Sequence, residues 1–280
     1  MTPRLREVKV LGPRGFIEAA YAEWGTGGRT AICVHGLTRN GRDFDWLAPA
    51  LAERGWRVLC PDVPGRGRST WLSEPKDYGY GLYLSVAAAL IARADTERVS
   101  WVGTSMGGII GMMVAAQPSA PFDALVLNDV GSLIPKAAIV RIGTYVGSAP
   151  AFADLAAAEA YLRRVHAPFG GLTDAQWRHM AVHGTRKAED GLRLNYDPAI
   201  ALAFKEQEPQ DVDLRPVWEK VTCPTLILRG ASSDLLLAET AAEMSTGGRA
   251  DLIEFPNCGH APSLMEPDQI DAVVDFLERH

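Results

Sequence analysis

An α/β architecture, with a mostly parallel sheet covered by helices on both faces, is what the order of hydrophobic segments imposes. Three observations carry it. Short apolar runs bounded by turn residues alternate with segments of helical period. The runs are continuously apolar rather than alternating, as strands buried on both faces are. The alternation stops once, from about Ser132 to Val217, and then resumes, as it would around an inserted block.

The elements follow in order. FIEAAYAEW, residues 16–24, has β character, and TAICVHG, 30–36, is an apolar run ending in a turn. RDFDWLAPALAER, 42–54, has helical period, with Phe44, Leu47 and Leu51 on one face and Gly55 as a stop. RVLCPD, 57–62, is the next strand, and 82–94 reads as helix. Residues 98–102 read as strand, 105–117 as a helix ended by Pro118, and ALVLND, 124–129, as strand again. In the following block PKAAIVRIGTYVG, AFADLAAAEAYLRRVH, TDAQWRHMAVHG and DPAIALAFKEQ all have helical pattern, and no strand is expected among them. The alternation returns with CPTLILRG, 223–230, a helix near 238–246, the strand DLIEF, 251–255, and a last helix over 267–279. The expected organisation is therefore a core of residues 1–131 and 218–280 and a helical cap of residues 132–217. Ligands of such sheets bind beyond the carboxyl ends of the strands, where a cap would close a pocket.

Composition narrows the classes. With 280 residues, 47% of them hydrophobic and 22% charged, the chain can bury a large core. A formal net charge of −6 and the lack of a Lys/Arg cluster argue against a nucleic-acid partner. No run of 18 apolar residues stands in the sequence, so no membrane span is expected, and MTPRLREVKV carries no apolar signal core. Cys33, Cys60, Cys223 and Cys258 match no zinc spacing and read as reduced thiols of a cytoplasmic protein.

The chemistry begins at Gly103-Thr104-Ser105-Met106-Gly107, a G-x-S-x-G run between a strand and a helix. A serine on so sharp a turn has a strained backbone and leaves no room for neighbouring Cβ atoms, which explains the flanking glycines. The turn aims the hydroxyl above the sheet and sets the Met106 N–H at a helix N-terminus, where negative charge is favoured. A nucleophilic hydroxyl needs a base, and a developing oxyanion needs a second donor. His260, in Cys258-Gly259-His260-Ala261-Pro262 after the last strand, is the strongest base candidate, and Leu37, after His35-Gly36, is the candidate second donor. Two acids end strands ahead of His260: Asp234 in RGASSDLL and Asp129 in LNDVG. Asp234 is the expected partner of His260, because its serine- and glycine-containing loop suits a reach to a histidine. Asp129, the alternative acid, reads as a carboxylate that fixes the exit of the chain into the cap.

With VHGLTRNGRDF, CPDVPGRGRS, WVGTSMGG, LVLNDVG, RGASSDLL and GHAP in that order, the chain resembles the α/β-hydrolase superfamily over nearly its whole length. HGLTRNGRDF and LNDVG make it similar to a group of capped bacterial carboxylesterases, some members of which act on short acyl esters and some on aliphatic polyesters. The resemblance implies an eight-stranded sheet and the roles of nucleophile for Ser105, base for His260 and acid for Asp234. It also implies an oxyanion hole from the N–H groups of Leu37 and Met106, no metal or organic cofactor, and a small-molecule ester as substrate. A lactone, thioester or C–C bond hydrolase with the same triad is the alternative within enzymes. A ligand-binding receptor on this scaffold is the alternative from another class.

Other residues invite weighing. His179 and His183 stand at i, i+4, but Met180 occupies the place where a zinc protease has its glutamate, so a surface pair on a cap helix is expected rather than a metal site. Arg39 and Asn40 are candidates for orienting either substrate or a cap helix, and Tyr145 and Trp177 are candidate linings of an acyl pocket. His35 and Asp62 read as loop organisers and Cys258 as a strand-end thiol.

Overall fold

The computed structural model describes residues 1–202 and 208–280. Its main sheet has eight strands in the order β1-β2-β4-β3-β5-β6-β12-β13. They are β1 (Arg4–Gly12), β2 (Gly15–Trp24), β3 (Arg29–Val34), β4 (Trp56–Pro61), β5 (Val99–Thr104), β6 (Phe122–Asn128), β12 (Thr225–Gly230) and β13 (Asp251–Phe255). From β4 to β13 every pairing is parallel, while β2 runs antiparallel to both β1 and β4. The strand β1 was not foreseen. It is exposed over much of its length, so it lacks the apolar run that marks the buried strands.

Helices α1 (Leu47–Glu53), α2 (Tyr80–Ala94), α3 (Met106–Ala115), α8 (Ala238–Ser245) and α9 (Pro267–Arg279) flank the sheet. Successive residues of the central strands feed two different cores. Ile32, Val34, Trp101, Leu125 and Leu127 pack on one side, and Ala31, Cys33, Val102, Ala124 and Val126 on the other. That two-faced burial follows from the period of two along a strand, and it is why these segments read as continuous apolar runs. The helix expected over 42–54 is divided: a short 3₁₀ turn, Gly41–Phe44, capped by the Asn40 side chain, precedes α1.

The block between β6 and α7 (Arg215–Trp218) is not wholly helical. It holds α4 (Lys136–Gly143), α5 (Leu155–Val165) and α6 (Asp174–Gly184). The Asp154 side chain caps α5, and Thr173 with Gln176 closes a capping box on α6. Against expectation, β8 (Ala151–Phe152), β9 (Thr185–Ala188) and β10 (Gly191–Leu194) form a small antiparallel sheet. The strands are two to four residues long, too short for a period to show. At the base of the block β7 (Leu133–Ile134) pairs with β11 (Val212–Asp213), so the departing and returning chains meet as a neck. Of the helix expected over 197–207, Pro198–Ala201 is a 3₁₀ turn, and residues 203–207 lie outside the described residues. Among the described residues no helix is long and apolar enough to cross a membrane.

Candidate active site

Ser105 sits between β5 and α3 with φ +52° and ψ −115°, a conformation disfavoured for any residue with a Cβ. The turn can close only because two neighbours have no side chain. A Cβ on Gly103 would meet the Gly107 carbonyl oxygen at 2.3 Å, and one on Gly107 would meet the Val34 carbonyl oxygen at 2.0 Å. The Ser105 N–H donates to the Asn128 carbonyl at 2.9 Å, which ties the turn to the end of β6.

His260 Nε2 lies 3.0 Å from Ser105 Oγ, and His260 Nδ1 lies 2.7 Å from Asp129 Oδ2. Asp129 therefore occupies the place expected of Asp234. It follows β6, is wholly buried and has φ +55°. Its Oδ1 accepts the Gly230 N–H at 2.9 Å and its Oδ2 also accepts the Ser233 hydroxyl at 2.5 Å. Asp234 is turned outward instead and pairs with Arg141 of α4, whose Nη2 donates to Asp234 Oδ1 at 2.8 Å. The physical reason is the strand order. β6 and β12 are neighbours, so both acids stand beyond adjacent carboxyl ends, and the direction of each loop decides which one faces the histidine. The serines of RGASSDLL carried a signal after all, because the Ser233 hydroxyl serves Asp129.

On the far side of Ser105, Met106 opens α3, and the carbonyl of Leu37 is held by Arg66, whose Nε donates to it at 2.8 Å. Arg66 went unnoticed in the sequence. It is wholly buried, it also donates to the Pro64 carbonyl at 2.7 Å and the Tyr83 hydroxyl at 2.9 Å, and no carboxylate among the described residues pairs with it. His35 acts as the loop organiser expected of it. Its Nε2 accepts the Val63 N–H at 3.0 Å, which leaves Nδ1–H to donate to the Gly36 carbonyl at 2.7 Å. Burial pushes the His35 pKa down to about 3, so the ring is neutral. Asp62 likewise organises its loop, accepting from the Gly41 and Arg68 N–H groups at 2.8 Å each. Burial raises the Cys258 thiol pKa to about 11, as befits an unreactive strand-end residue.

A narrow cavity of about 60 Å³ opens beside Ser105 and His260. The core contributes Thr38 and Arg39 to its walls, and the block between β6 and α7 contributes Arg141, Tyr145, His166 and Phe169. Tyr145 lines the cavity. Trp177 does not: it is buried elsewhere in the block, with the Arg163 guanidinium 5.6 Å from its ring centre. Arg39 is buried and makes a two-pronged ion pair with Asp43, at 2.9 and 2.6 Å. Burial opposes the Asp43 charge, but the Arg39 guanidinium prevails and holds its pKa below the ordinary value. Asn40 reaches α6, its Nδ2 donating to the His183 carbonyl at 2.9 Å. A larger cavity of about 510 Å³ lies near Ser148, Arg186 and Arg193 and touches none of these groups.

His179 and His183 are not a surface pair. Their ring centres are 4.4 Å apart, and with Asp45 they cluster where α6 meets the core. His179 Nε2 is 2.9 Å from the Arg42 carbonyl oxygen, and the Arg42 side chain itself holds Asp45. Those contacts tie His179 and Asp45 to the 3₁₀ turn after Asn40, where α6 meets it.

The alpha/beta hydrolase family profile matches residues 31–276. The chain belongs to that family, and it is an ester-cleaving hydrolase. It is 43% identical to a 3-hydroxybutyrate-oligomer hydrolase of Cupriavidus necator over 99% of this chain and 98% of that protein. It is 28% identical to a 2-(acetamidomethylene)succinate hydrolase of Mesorhizobium japonicum over 90% of this chain and 88% of that protein. The crystal structure of an alpha/beta hydrolase from Novosphingobium aromaticivorans superposes with a TM-score of 0.87 at 35% identity, covering 100% of this chain and 99% of that one.

Proposed function

We infer that the protein is a serine hydrolase of short carboxylic esters, in which Ser105 is the nucleophile, His260 the base and Asp129 the acid. The observation that carries this reading is the unbroken relay from Ser105 Oγ to His260 at 3.0 Å and from His260 to Asp129 at 2.7 Å. Ser105 Oγ attacks the ester carbonyl while His260 Nε2 takes its proton. Asp129 accepts the Nδ1–H, holds the imidazole in the tautomer that leaves Nε2 free, and stabilises the imidazolium that forms. The N–H groups of Leu37 and Met106 receive the oxyanion, with the helix dipole of α3 behind the second. His260 then returns the proton to the leaving alkoxide, and a water it activates releases the acyl group.

The substrate class we propose is the oligoester of a short hydroxy acid, on the strength of the Cupriavidus necator relative and its name. The polar side chains set among the cavity's apolar lining, Thr38, Arg39, Arg141 and His166, support that choice over a long alkyl ester. Residues 132–217 act as a cap that selects the acyl group, a role supported by the neck at β7 and β11 and by the wall the block supplies. The four free cysteines support residence in the cytoplasm.

Active-site labelling tests the reading. A fluorophosphonate should modify the native enzyme once, at Ser105, and ethyl butyrate should be turned over many times. Equal labelling of Ser105→Ala, or a single burst without turnover, would refute it.

A further inference from the structure

Of the groups around the cavity, His166 has no task in the chemistry above. It stands at the end of α5, 8% exposed, and what exposure it has faces the space beside Ser105. Its backbone is fixed at both ends. The N–H donates to the Leu162 carbonyl at 2.8 Å, and the carbonyl accepts the Phe169 N–H at 2.9 Å. The Phe169 ring packs against the imidazole with centres 4.7 Å apart. Yet neither ring nitrogen hydrogen-bonds to any protein group among the described residues. With no protein partner, these nitrogens stay open to the cavity beside Ser105, where a ligand or water can meet them.

The charge state follows from the surroundings. Burial, and then the nearby Arg39 guanidinium, push the pKa down to about 3, against the opposing pull of Asp43. At neutral pH the ring therefore offers one N–H donor and one bare nitrogen acceptor. Such a pair suits a hydroxyl, which both donates and accepts. It suits a methylene chain badly, because an alkyl group would strip water from the nitrogens and replace none of its hydrogen bonds.

We propose that His166 is the specificity-determining residue that reads the β-hydroxyl of a 3-hydroxyacyl ester in the cavity next to Ser105. The inference rests on the ester-hydrolase reading and adds to it the group that distinguishes a hydroxyacyl from a plain acyl substrate. His166 touches no reacting atom, so it binds and orients.

The test compares two substrates that differ by that hydroxyl alone. Hydrolysis of ethyl 3-hydroxybutyrate, each enantiomer separately, and of ethyl butyrate is followed by pH-stat titration on the full chain. In the native enzyme kcat/KM should favour the better hydroxy enantiomer by at least about tenfold. His166→Phe should bring the ratio close to one, and His166→Gln, which keeps a donor and an acceptor, should restore part of it. A native ratio of one overturns the proposal whatever the variants do. So does His166→Phe lowering both esters alike with the ratio intact, which is the mark of a structural role. Failure of the native enzyme to turn over either ester would strike the ester-hydrolase reading itself, whereas turnover of both without discrimination strikes only the role of His166.

Discussion

Asp129 and Asp234 are the same carboxylate beyond the ends of neighbouring strands, and they do different things. Asp129 is wholly buried, and three donors converge on it: the Gly230 N–H, the Ser233 hydroxyl and His260. The Asp234 side chain is 47% exposed and holds Arg141 of α4, in the block that follows β6. A carboxylate out of water, with its lone pairs already taken up, has one orientation and can impose one on an imidazole. A half-solvated one is free to serve as a latch. The difference teaches that a carboxylate able to orient a histidine is made by the convergence of donors in a dry place, and that position at a strand end is not enough.

The sharpest way to break the comparison is to remove each charge in turn. Asp129→Asn should lower kcat by up to about 10⁴, because the amide favours the wrong histidine tautomer. Circular dichroism should stay native, and steady-state kinetics on ethyl butyrate provides the check. A larger loss in Asp234→Asn than in Asp129→Asn would invert the assignment.

Buried and exposed groups should also part company on acidification. His35 and His166 have folded pKa values of about 3, against 6.5 in the unfolded chain. Above that value both states carry neutral rings, and pH has no hold on stability through them. Below it the unfolded chain binds protons that the folded chain refuses, so stability falls as pH drops from 6.5 towards 3, by up to about 1.4 kcal/mol per pH unit for each ring. Urea denaturation midpoints from pH 7 to 5 should decline, and His166→Phe should decline less steeply. An identical slope in that variant would mean that the native His166 ring takes up its proton in the fold as readily as in the unfolded chain.

Ser233→Ala takes away one of the donors that fix Asp129 and leaves the others. A loss of about 1–2 kcal/mol of transition-state stabilisation, roughly tenfold in kcat with KM little moved, is expected. An effect confined to KM would show that the hydroxyl serves substrate binding and not the acid.

The smallest effect belongs to Asp234→Asn. Exposed ion pairs contribute at most about 1 kcal/mol, so thermal stability and kcat on ethyl butyrate should shift only slightly, within about threefold for the rate. A change that grows with acyl length would identify the Arg141–Asp234 pair as part of substrate selection.

Much of this molecule is written locally. The central strands are legible because burial on both faces makes them continuously apolar, as in Ala31–Val34 and Leu125–Leu127. The Ser105 turn is legible because a positive φ at a serine between strand and helix demands glycine on either side. His260 is legible because it stands in the loop that follows the last strand. Other features needed the assembled chain. β1 is exposed and pairs only through its hairpin, and the short strands β8, β9 and β10 are too short for any period, so neither leaves a pattern in the residues. The role of Arg66 depends on a buried guanidinium meeting carbonyls and a hydroxyl up to 29 positions away. The choice between Asp129 and Asp234 is the clearest case. Chain order, residue type and strand-end position are alike for both. Only the side-by-side placement of β6 and β12, with one loop folded inward over Ser233 and the other side chain drawn out to Arg141, separates a desolvated acid from a surface latch, because burial and convergence are properties of neighbours that no single segment contains.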